Sequence, residues 1–400
     1  MRLPSWMIWY KKPEYRDIRE YSTAVGSGQR ALSPDGRNKS AVPNRLSLER
    51  VLENKTCSPM SLYDFYMYLK HIEYSPENLE FYIWFKNYEA KYARAHSPWS
   101  IKETASVSEP ETEARPSEDG SEVYLDPEFA KETLGQIELL IGTAAMCTAT
   151  SCKPSLATRA KAFAGIKTAP ENPTPVPTDS ELRAEINAVT SLFLTPDSAK
   201  ELNIPPALRA AALQGLQTSP DPAHLRPVAD HVYLLIRNCS HRNFIRLGVS
   251  NGTYETVCVA TGLGIVLIAA GLLYVLLRAF VGASHSRYDA LGAWPMWWLG
   301  VTLVLSGLRG SCFFLLLFTR RQPLPWERFD DGASVNTQGS NPVVKTLSRL
   351  MIFDRKVRVK DDGLRGLQHK IVAQSMVGGA IFATIFVLVF IFLPVWKETL

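Results

Sequence analysis

The stretch Ser75-Pro76-Glu77-Asn78-Leu79-Glu80-Phe81-Tyr82 decides how this sequence folds. It predicts a helix start, because Ser75 is a favourable N-cap, Pro76 fits the first helical position, and an acidic side chain suits the positive end of a helix. The residues that follow, up to Tyr88, are apolar or aromatic on nearly every side. A helix of that composition must be enclosed by other helices. We therefore expect a fixed corner of an all-helical domain, with its polar first turn facing a partner.

Composition divides the 400-residue chain at about residue 250. The residues before that point are mixed and charged, whereas three long apolar runs follow, near 257–277, 293–318 and 371–396. Each run is long enough to cross a bilayer, and only the second contains a charge, Arg309. The sequence thus predicts three transmembrane helices in a membrane region at 255–400. Arg309 is expected to pair with a polar group in the bundle, to mark a lipid or substrate site, or to extend to the basic cytosolic side.

The charges of the loops predict an orientation. Eleven Lys and Arg residues lie in 319–370, between the second and third runs, and few lie in the other loops. Basic loops stay cytoplasmic, so the N-terminal domain is expected in the cytosol as well. Four glycosylation sequons, at Asn38, Asn54, Asn238 and Asn251, would then stay unmodified. The six cysteines are scattered, which predicts neither a zinc site nor a disulfide framework.

The first 250 residues divide into a basic N-terminal lead-in at 1–57 and a helical domain at 58–250. Apolar residues at helical spacing predict the helices of this domain, and Asp179 or Ser180 is expected to cap the one at 179–193. The predicted helices are 60–72, 75–92, 127–142, 179–193, 206–216 and 227–238, the last continued by 241–247. Two segments, 97–123 and 143–178, lack periodicity and are rich in residues such as Pro, Thr and Ser, so we expect disordered inserts there.

Four stretches of the domain stand in a recognisable order. They are YDFYMYL at 63–69, SPENLEFY at 75–82, FL at 193–194 with KELNIP at 200–205, and VYLLI at 232–236 with RNFI at 242–245. This order resembles the regulator-of-G-protein-signalling (RGS) domain. An RGS-like bundle followed by three C-terminal spans also resembles a fungal group that includes a yeast bud-site-selection protein. The resemblance implies a multi-pass protein of the plasma membrane, or else an endomembrane, that serves G-protein signalling or cell polarity.

The resemblance also implies a binding surface for a heterotrimeric G-protein α subunit (Gα), formed by Glu77, Asn78, Asn203 and Ser240. RGS domains accelerate GTP hydrolysis by Gα without a catalytic residue of their own, because they hold the catalytic groups of Gα in place. Asn203 would orient the glutamine of Gα that positions water. Each residue also has a plainer interpretation, with Asn203 as a turn residue and Glu77 and Asn78 as helix-start residues.

The last stretch departs from the family pattern at two positions. Cys239 stands where the family usually has an Asp, and Asn243 precedes Phe244 where an Arg is usual. Loss of a carboxylate acceptor would weaken Gα binding by ~1–3 kcal/mol. The alternative function is therefore an RGS-fold scaffold without GTPase activation, whose partner is a polarity-landmark or bud-site protein of the membrane. His241, in the same stretch, is expected to be a surface residue.

Other classes of function find little support in the sequence. It contains no phosphate loop, metal-ligand spacing or Ser/His or Cys/His arrangement, so we predict no chemistry of its own, no cofactor and no metal site. Three spans without an internal repeat argue against a transporter. The basic loop at 319–370 favours a lipid surface over nucleic acid. Small residues, such as Ala260 with Gly264 and Ser375 with Gly379, predict close helix packing inside the chain or in a homo-oligomer.

Overall fold

The computed structural model describes residues 10, 13–28, 42–96, 135–137, 139, 178–252, 254–281, 286–324, 357–393 and 396. The chain forms two compact units. The first, here called the helical unit, comprises Tyr15–Arg37 and Ser61–Arg242, and the second, the membrane unit, comprises Met1–Glu14, Asn38–Met60 and Asn243–Leu400. The predicted insert at 97–123 lies outside the described residues, and so does all but the last residue of the insert at 143–178. The domain boundaries drawn from the sequence stay predictions.

Helices are the main secondary structure of the described residues, which otherwise contain loops and one pair of short strands. The helices are α1 Ile18–Gly26, α2 Leu48–Leu52, α3 Leu62–Tyr68, α4 Glu77–Ala95, α5 Asp179–Val189, α6 Pro206–Thr218, α7 Arg226–Leu235, α8 His241–Val249, α9 Tyr254–Phe280, α10 Trp294–Leu308, α11 Phe313–Leu317 and α12 Asp362–Phe392. Short π-helical turns extend α3, α5 and α7 over Leu69–Glu73, Thr190–Leu194 and Ile236–Ser240, and 3-10 turns cover Asn44–Leu46, Pro222–His224 and Arg287–Ala293. The strands, β1 Arg320–Arg321 and β2 Val357–Arg358, pair antiparallel. The predicted all-α fold class is confirmed.

Helix α4 carries the aromatic core of the helical unit. The Phe81 ring packs edge-on against Phe193 with the ring centroids 5.8 Å apart, and Trp84 stacks on Tyr88 at 5.1 Å. The indole N–H of Trp84 donates to Glu185 Oε1 on α5 at 3.0 Å, so the buried ring also satisfies its polar atom. Each aromatic pair adds about 0.5–1.5 kcal/mol to the hydrophobic gain of burial. The expectation of an enclosed aromatic helix is therefore met.

The start of α4 differs from the prediction, because Ser75 is not its cap. The helix begins at Glu77 and is preceded by Pro76, whose side chain cannot cap. Tyr74 has a left-handed φ of 52°, and the Ser75 N–H donates to the Leu69 carbonyl at 3.1 Å. Ser75 thus belongs to the turn that ends the preceding π-helical segment. Its buried Oγ has no hydrogen-bond partner among the described residues.

The cap of α5 also differs from the prediction. Thr178, not Asp179 or Ser180, accepts from the Glu181 N–H, and the Glu181 side chain in turn accepts from the Thr178 N–H. This reciprocal capping box satisfies two N–H groups that a helix start otherwise leaves unpaired. The predicted apolar face of this helix is buried as expected; it consists of Leu182, Ile186, Val189 and Phe193.

Three helical segments of the membrane unit are long and apolar enough to cross a bilayer: Tyr254–Phe280, Arg287–Leu308 and Asp362–Phe392. The second apolar run, however, is not one helix over 293–318. Helix α10 ends at Leu308, where Gly310 adopts a left-handed φ of 67°. The Gly310 N–H donates to Gly307 O at 2.7 Å and the Ser311 N–H to Ser306 O at 3.3 Å, the two bonds of a Schellman C-cap. Helix α11 then follows as a separate short element.

Small residues bring the backbones of these helices close together inside the chain. A Cβ added to Gly264 would lie 2.8 Å from the carbonyl oxygen of Gly300, and one added to Gly300 would lie 2.8 Å from that of Gly264. One added to Gly379 would lie 2.7 Å from Trp298 O. Arg309 donates from Nη1 to the backbone oxygen of Ile371 on α12 at 3.1 Å. Of the expectations for this arginine, the structure has the pairing with a polar group of the bundle.

The cysteines correct one expectation. Cys239, Cys258 and Cys312 are free thiols, whereas Cys57 is disulfide-bonded. The sequence predicted no disulfide framework, yet Cys57 forms a disulfide. Separation along the sequence gave no guidance, because cysteines far apart in the chain can be neighbours in the fold.

Candidate partner-binding site

Three of the four predicted contact residues meet where α4 begins. Asn203, in the loop between the Thr190–Leu194 turn and α6, donates from Nδ2 to Glu77 Oε1 at 3.4 Å. Asn78 donates from its own Nδ2 to the same oxygen at 3.4 Å. Asn78 is buried, whereas Glu77 and Asn203 are half-buried. One carboxylate oxygen of α4 thus connects two amide side chains that are far apart in sequence.

A buried ion pair fixes the loop that carries Asn203. Lys200 Nζ lies 2.6 Å from Glu80 Oε2, and Glu80 is only 1% exposed. The Tyr66 hydroxyl donates to the other oxygen of Glu80 at 3.2 Å. Arg209, in the first turns of α6, forms a further ion pair with Glu201. The loop is therefore held to α4 through Lys200 and to α6 through Glu201, both just before Asn203.

Glu77 has an unusual electrostatic environment for a carboxylate at a helix start. Burial raises its pKa to about 7, and the charge of Glu80 acts in the same direction. A hydrogen bond from its own backbone N–H and the charges of Lys200 and Arg19 lower the pKa, but less than burial raises it. The carboxyl group is therefore poised to change charge near neutral pH.

His231, which the sequence analysis did not select, lies beneath the Asn203 loop. It belongs to α7 and is buried. Burial lowers the pKa of His231, while a hydrogen bond to the backbone of Asn203 acts in the opposite direction. The only sequence signal was a histidine next to Val232 on the apolar face of a predicted helix, a pattern more typical of a core residue.

Ser240, the fourth predicted contact residue, is not hydrogen-bonded to the other three. It lies in the π-helical turn Ile236–Ser240 with its side chain fully buried, and its Oγ has no hydrogen-bond partner within the described ranges. The neighbouring His241 is also buried, with its ring edge-on to Phe65 at 6.1 Å between centroids. The prediction that His241 is a surface residue is wrong, because α8 continues the turn without a break and keeps this face inside.

Helix α1 lies on this same region and was missed by the sequence analysis, which treated 1–57 as a lead-in. Ile18 and Tyr21 form a buried apolar cluster with Leu235 and Cys239. Asp17 caps the helix by accepting from two backbone N–H groups. The signal was present: a capping Asp is followed by apolar residues at helical spacing, with Val25 packed against the same cluster. The helix was missed because it has only nine residues.

Cys239 connects α1 to the turn that carries Ser240. Its Sγ donates to the backbone oxygen of Arg16 at 3.1 Å, and Arg16 Nη1 donates to Asn238 O at 3.2 Å. Burial raises the pKa of the Cys239 thiol far above its ordinary value, so it stays protonated. Within the described residues, no group of three His, Cys, Asp or Glu side chains is placed to hold a metal ion.

Comparison with known protein families gives this site a context. Residues 161–247 match the family model of the Regulator of G protein signaling domain. The match contains Asn203 and Ser240, whereas Glu77 and Asn78 precede it. Comparison with curated proteins and with solved structures finds no match. The chain therefore combines an RGS helical domain, a type of module that regulates G-protein signalling by interacting with Gα, with three C-terminal helices suited to a bilayer.

Proposed function

We propose that this protein is a membrane-anchored regulator that binds a Gα subunit through Glu77, Asn78, Asn203 and Ser240. The observation that supports it most is the shared contact of Asn203 and Asn78 with one carboxylate oxygen of Glu77, in a chain with an RGS family match. Such a cluster offers amide and carboxyl groups together on a rigid corner.

Asn203 acts in this proposal by orientation rather than by chemistry. Its Nδ2 is used in the bond to Glu77, so its Oδ1 is left to accept a hydrogen bond from the glutamine amide of Gα. Fixing that glutamine lowers the entropy lost when water attacks GTP. The Lys200–Glu80 ion pair keeps the loop in place while Gα binds.

Binding to Gα in its transition-state nucleotide form tests the proposal. The full chain in lipid nanodiscs is titrated against Gα loaded with GDP and aluminium fluoride, and Asn203→Ala is expected to weaken binding at least about tenfold. Gln214→Ala removes an exposed amide side chain of the neighbouring helix α6 and serves as the matched control. Equal affinities of the wild-type and Asn203→Ala chains would show that Asn203 does not contribute to Gα binding.

A second candidate function is an RGS-fold scaffold that positions polarity or bud-site proteins without activating a GTPase. The departures at Cys239 and Asn243 favour it, because the family's usual charged contacts are missing there. It predicts that a soluble fragment lacking α9–α12 loses its position at the membrane. Correct localisation of that fragment alone would contradict the scaffold function.

The proposed location is the plasma membrane, with the N-terminal domain in the cytosol and the protein at sites of cell polarity. The eleven basic residues of 319–370 support this orientation. Asn54 is the informative sequon, since Asn238 and Asn251 are each only 2% exposed. Cys57 forms a disulfide, and disulfides are rare in the cytosol, so the glycosylation of nearby Asn54 is an informative test of the proposed orientation. An unchanged mass after glycosidase treatment agrees with the proposal, and a sugar at Asn54 contradicts it.

A further inference from the structure

Helix α1 contacts the residue that is central to the proposed Gα surface. The Ser22 hydroxyl donates to the backbone oxygen of Asn203 at 3.0 Å. Arg19, one turn earlier on α1, is close enough for its charge to act on Glu77. One face of a nine-residue helix therefore lies beside both members of the Asn203–Glu77 contact.

The apolar side of α1 covers the turn before Ser240. Ile18 and Tyr21 are 6% and 2% exposed, and both pack on Leu235 and Cys239. Next to this apolar contact, Arg16 forms the two hydrogen bonds with Cys239 and Asn238 described above. Cys239, on which these two residues pack, is fully buried.

From these contacts we propose that α1 occupies, within the same chain, the surface that Gα takes, and that Gα binds only after α1 leaves. The proposal rests on the proposed function, because it names the regulation of that same site. A partner that binds Asn203 and the turn containing Cys239 needs the space in which Ser22, Ile18 and Tyr21 now lie, because Ser22 donates to Asn203 and the other two pack on Cys239.

A short helix is suited to this role. An isolated helix of nine residues is marginal in water, so α1 keeps its shape mainly through its contacts with α7 and the Asn203 loop. The chain then exists as a covered and an open form, and the apparent affinity for Gα falls by the fraction that is open. Anything that draws α1 away, such as a second partner or a modification of Ser22, raises that fraction.

The test opens α1 without touching the proposed contact residues. The full chain carrying Ile18→Asp and Tyr21→Asp is compared in nanodiscs with the wild type and with Glu20→Gln, which changes an exposed residue of the same helix. We expect the double variant to bind transition-state Gα at least about tenfold more tightly than the other two chains. Equal affinity of all three chains overturns the proposal.

A second measurement needs no Gα. Labelling of Cys239 with a thiol reagent, located by peptide mass spectrometry, is expected to be at least about tenfold faster in the double variant than in the Glu20→Gln chain. A peptide with the sequence of residues 15–28 should restore protection when added to the double variant. Unchanged labelling overturns the covering role of α1. Faster labelling together with absent Gα binding in every chain instead overturns the proposed function and leaves α1 as the cover of a surface for another partner.

Discussion

Replacing Glu77 by Gln tests whether burial raises the pKa of the carboxyl group at the start of α4 and so makes its ionised form unfavourable. Glutamine keeps an oxygen that accepts from Asn203 and Asn78, and it removes only the ionisable group. The pKa of Glu77 is raised from 4.5 to about 7, chiefly by burial. Since the folded protein binds this proton more tightly than the unfolded chain, stability falls as the pH rises from about 4.5 to about 7 and stays low above that range.

The size of the effect follows from the size of the shift. Each pKa unit corresponds to about 1.4 kcal/mol, so the ionised carboxylate costs about 3 kcal/mol above pH 7 as an upper bound. Partial exposure of Glu77 to solvent reduces this to about 1–2 kcal/mol. Glu77→Gln should recover that amount at about pH 8 and have little effect at about pH 4.

Urea unfolding of a soluble fragment, residues 13–250, followed by circular dichroism, measures this difference across the pH range. Glu20→Gln, an exposed carboxylate on α1, is the control for a simple change in net charge. A stability difference between wild type and Glu77→Gln that is the same at every pH would refute the assignment. So would a variant that is less stable than the wild type at about pH 8.

Further predictions concern the loop anchor and the membrane helices. Lys200→Met leaves Glu80 buried without its counter-charge. It should lower the free energy of unfolding of the same fragment, measured in urea, by about 3 kcal/mol. An unchanged free energy of unfolding would show that the ion pair is dispensable. Gly264→Ala places a Cβ 2.8 Å from Gly300 O and should lower the melting temperature of the full chain in detergent. The control is Gly262→Ala, whose Cβ meets nothing within 4 Å and should leave the melting temperature unchanged. Equal melting temperatures of the Gly264→Ala and Gly262→Ala chains would contradict the close packing.

Patterns of composition and spacing were enough to predict much of this fold. Apolar residues at helical spacing predicted α3 through α7, and long uncharged runs predicted α9 and α12. The break after α10 was not foreseen, because hydropathy cannot register a left-handed glycine within an apolar run; Gly310 ends the helix through backbone geometry alone. The caps of α4 and α5 were misplaced by one or two residues, although the spacing of Thr178 and Glu181 is that of a capping box.

The candidate site could be predicted only in part. Resemblance to a family selected Glu77, Asn78 and Asn203, and the structure brings these three together through contacts that sequence spacing does not contain. The roles of those residues stay predictions. Helix α1 was not predicted, because it is short and lies in a segment of turn formers. Its importance comes from packing on α7, which is more than two hundred residues away in sequence. Long-range packing of this kind leaves no local signature.

Single-turnover GTP hydrolysis by Gα tests the central claim most directly. The full chain in nanodiscs carries Ile18→Asp and Tyr21→Asp, so that α1 does not mask the surface, and it is assayed with and without Asn203→Ala. We predict that the opened chain accelerates hydrolysis, that Asn203→Ala removes at least about nine-tenths of the acceleration, and that Gln214→Ala leaves it unchanged. No acceleration by the opened chain, or full acceleration after Asn203→Ala, would contradict the proposal that this helical corner acts on a G protein.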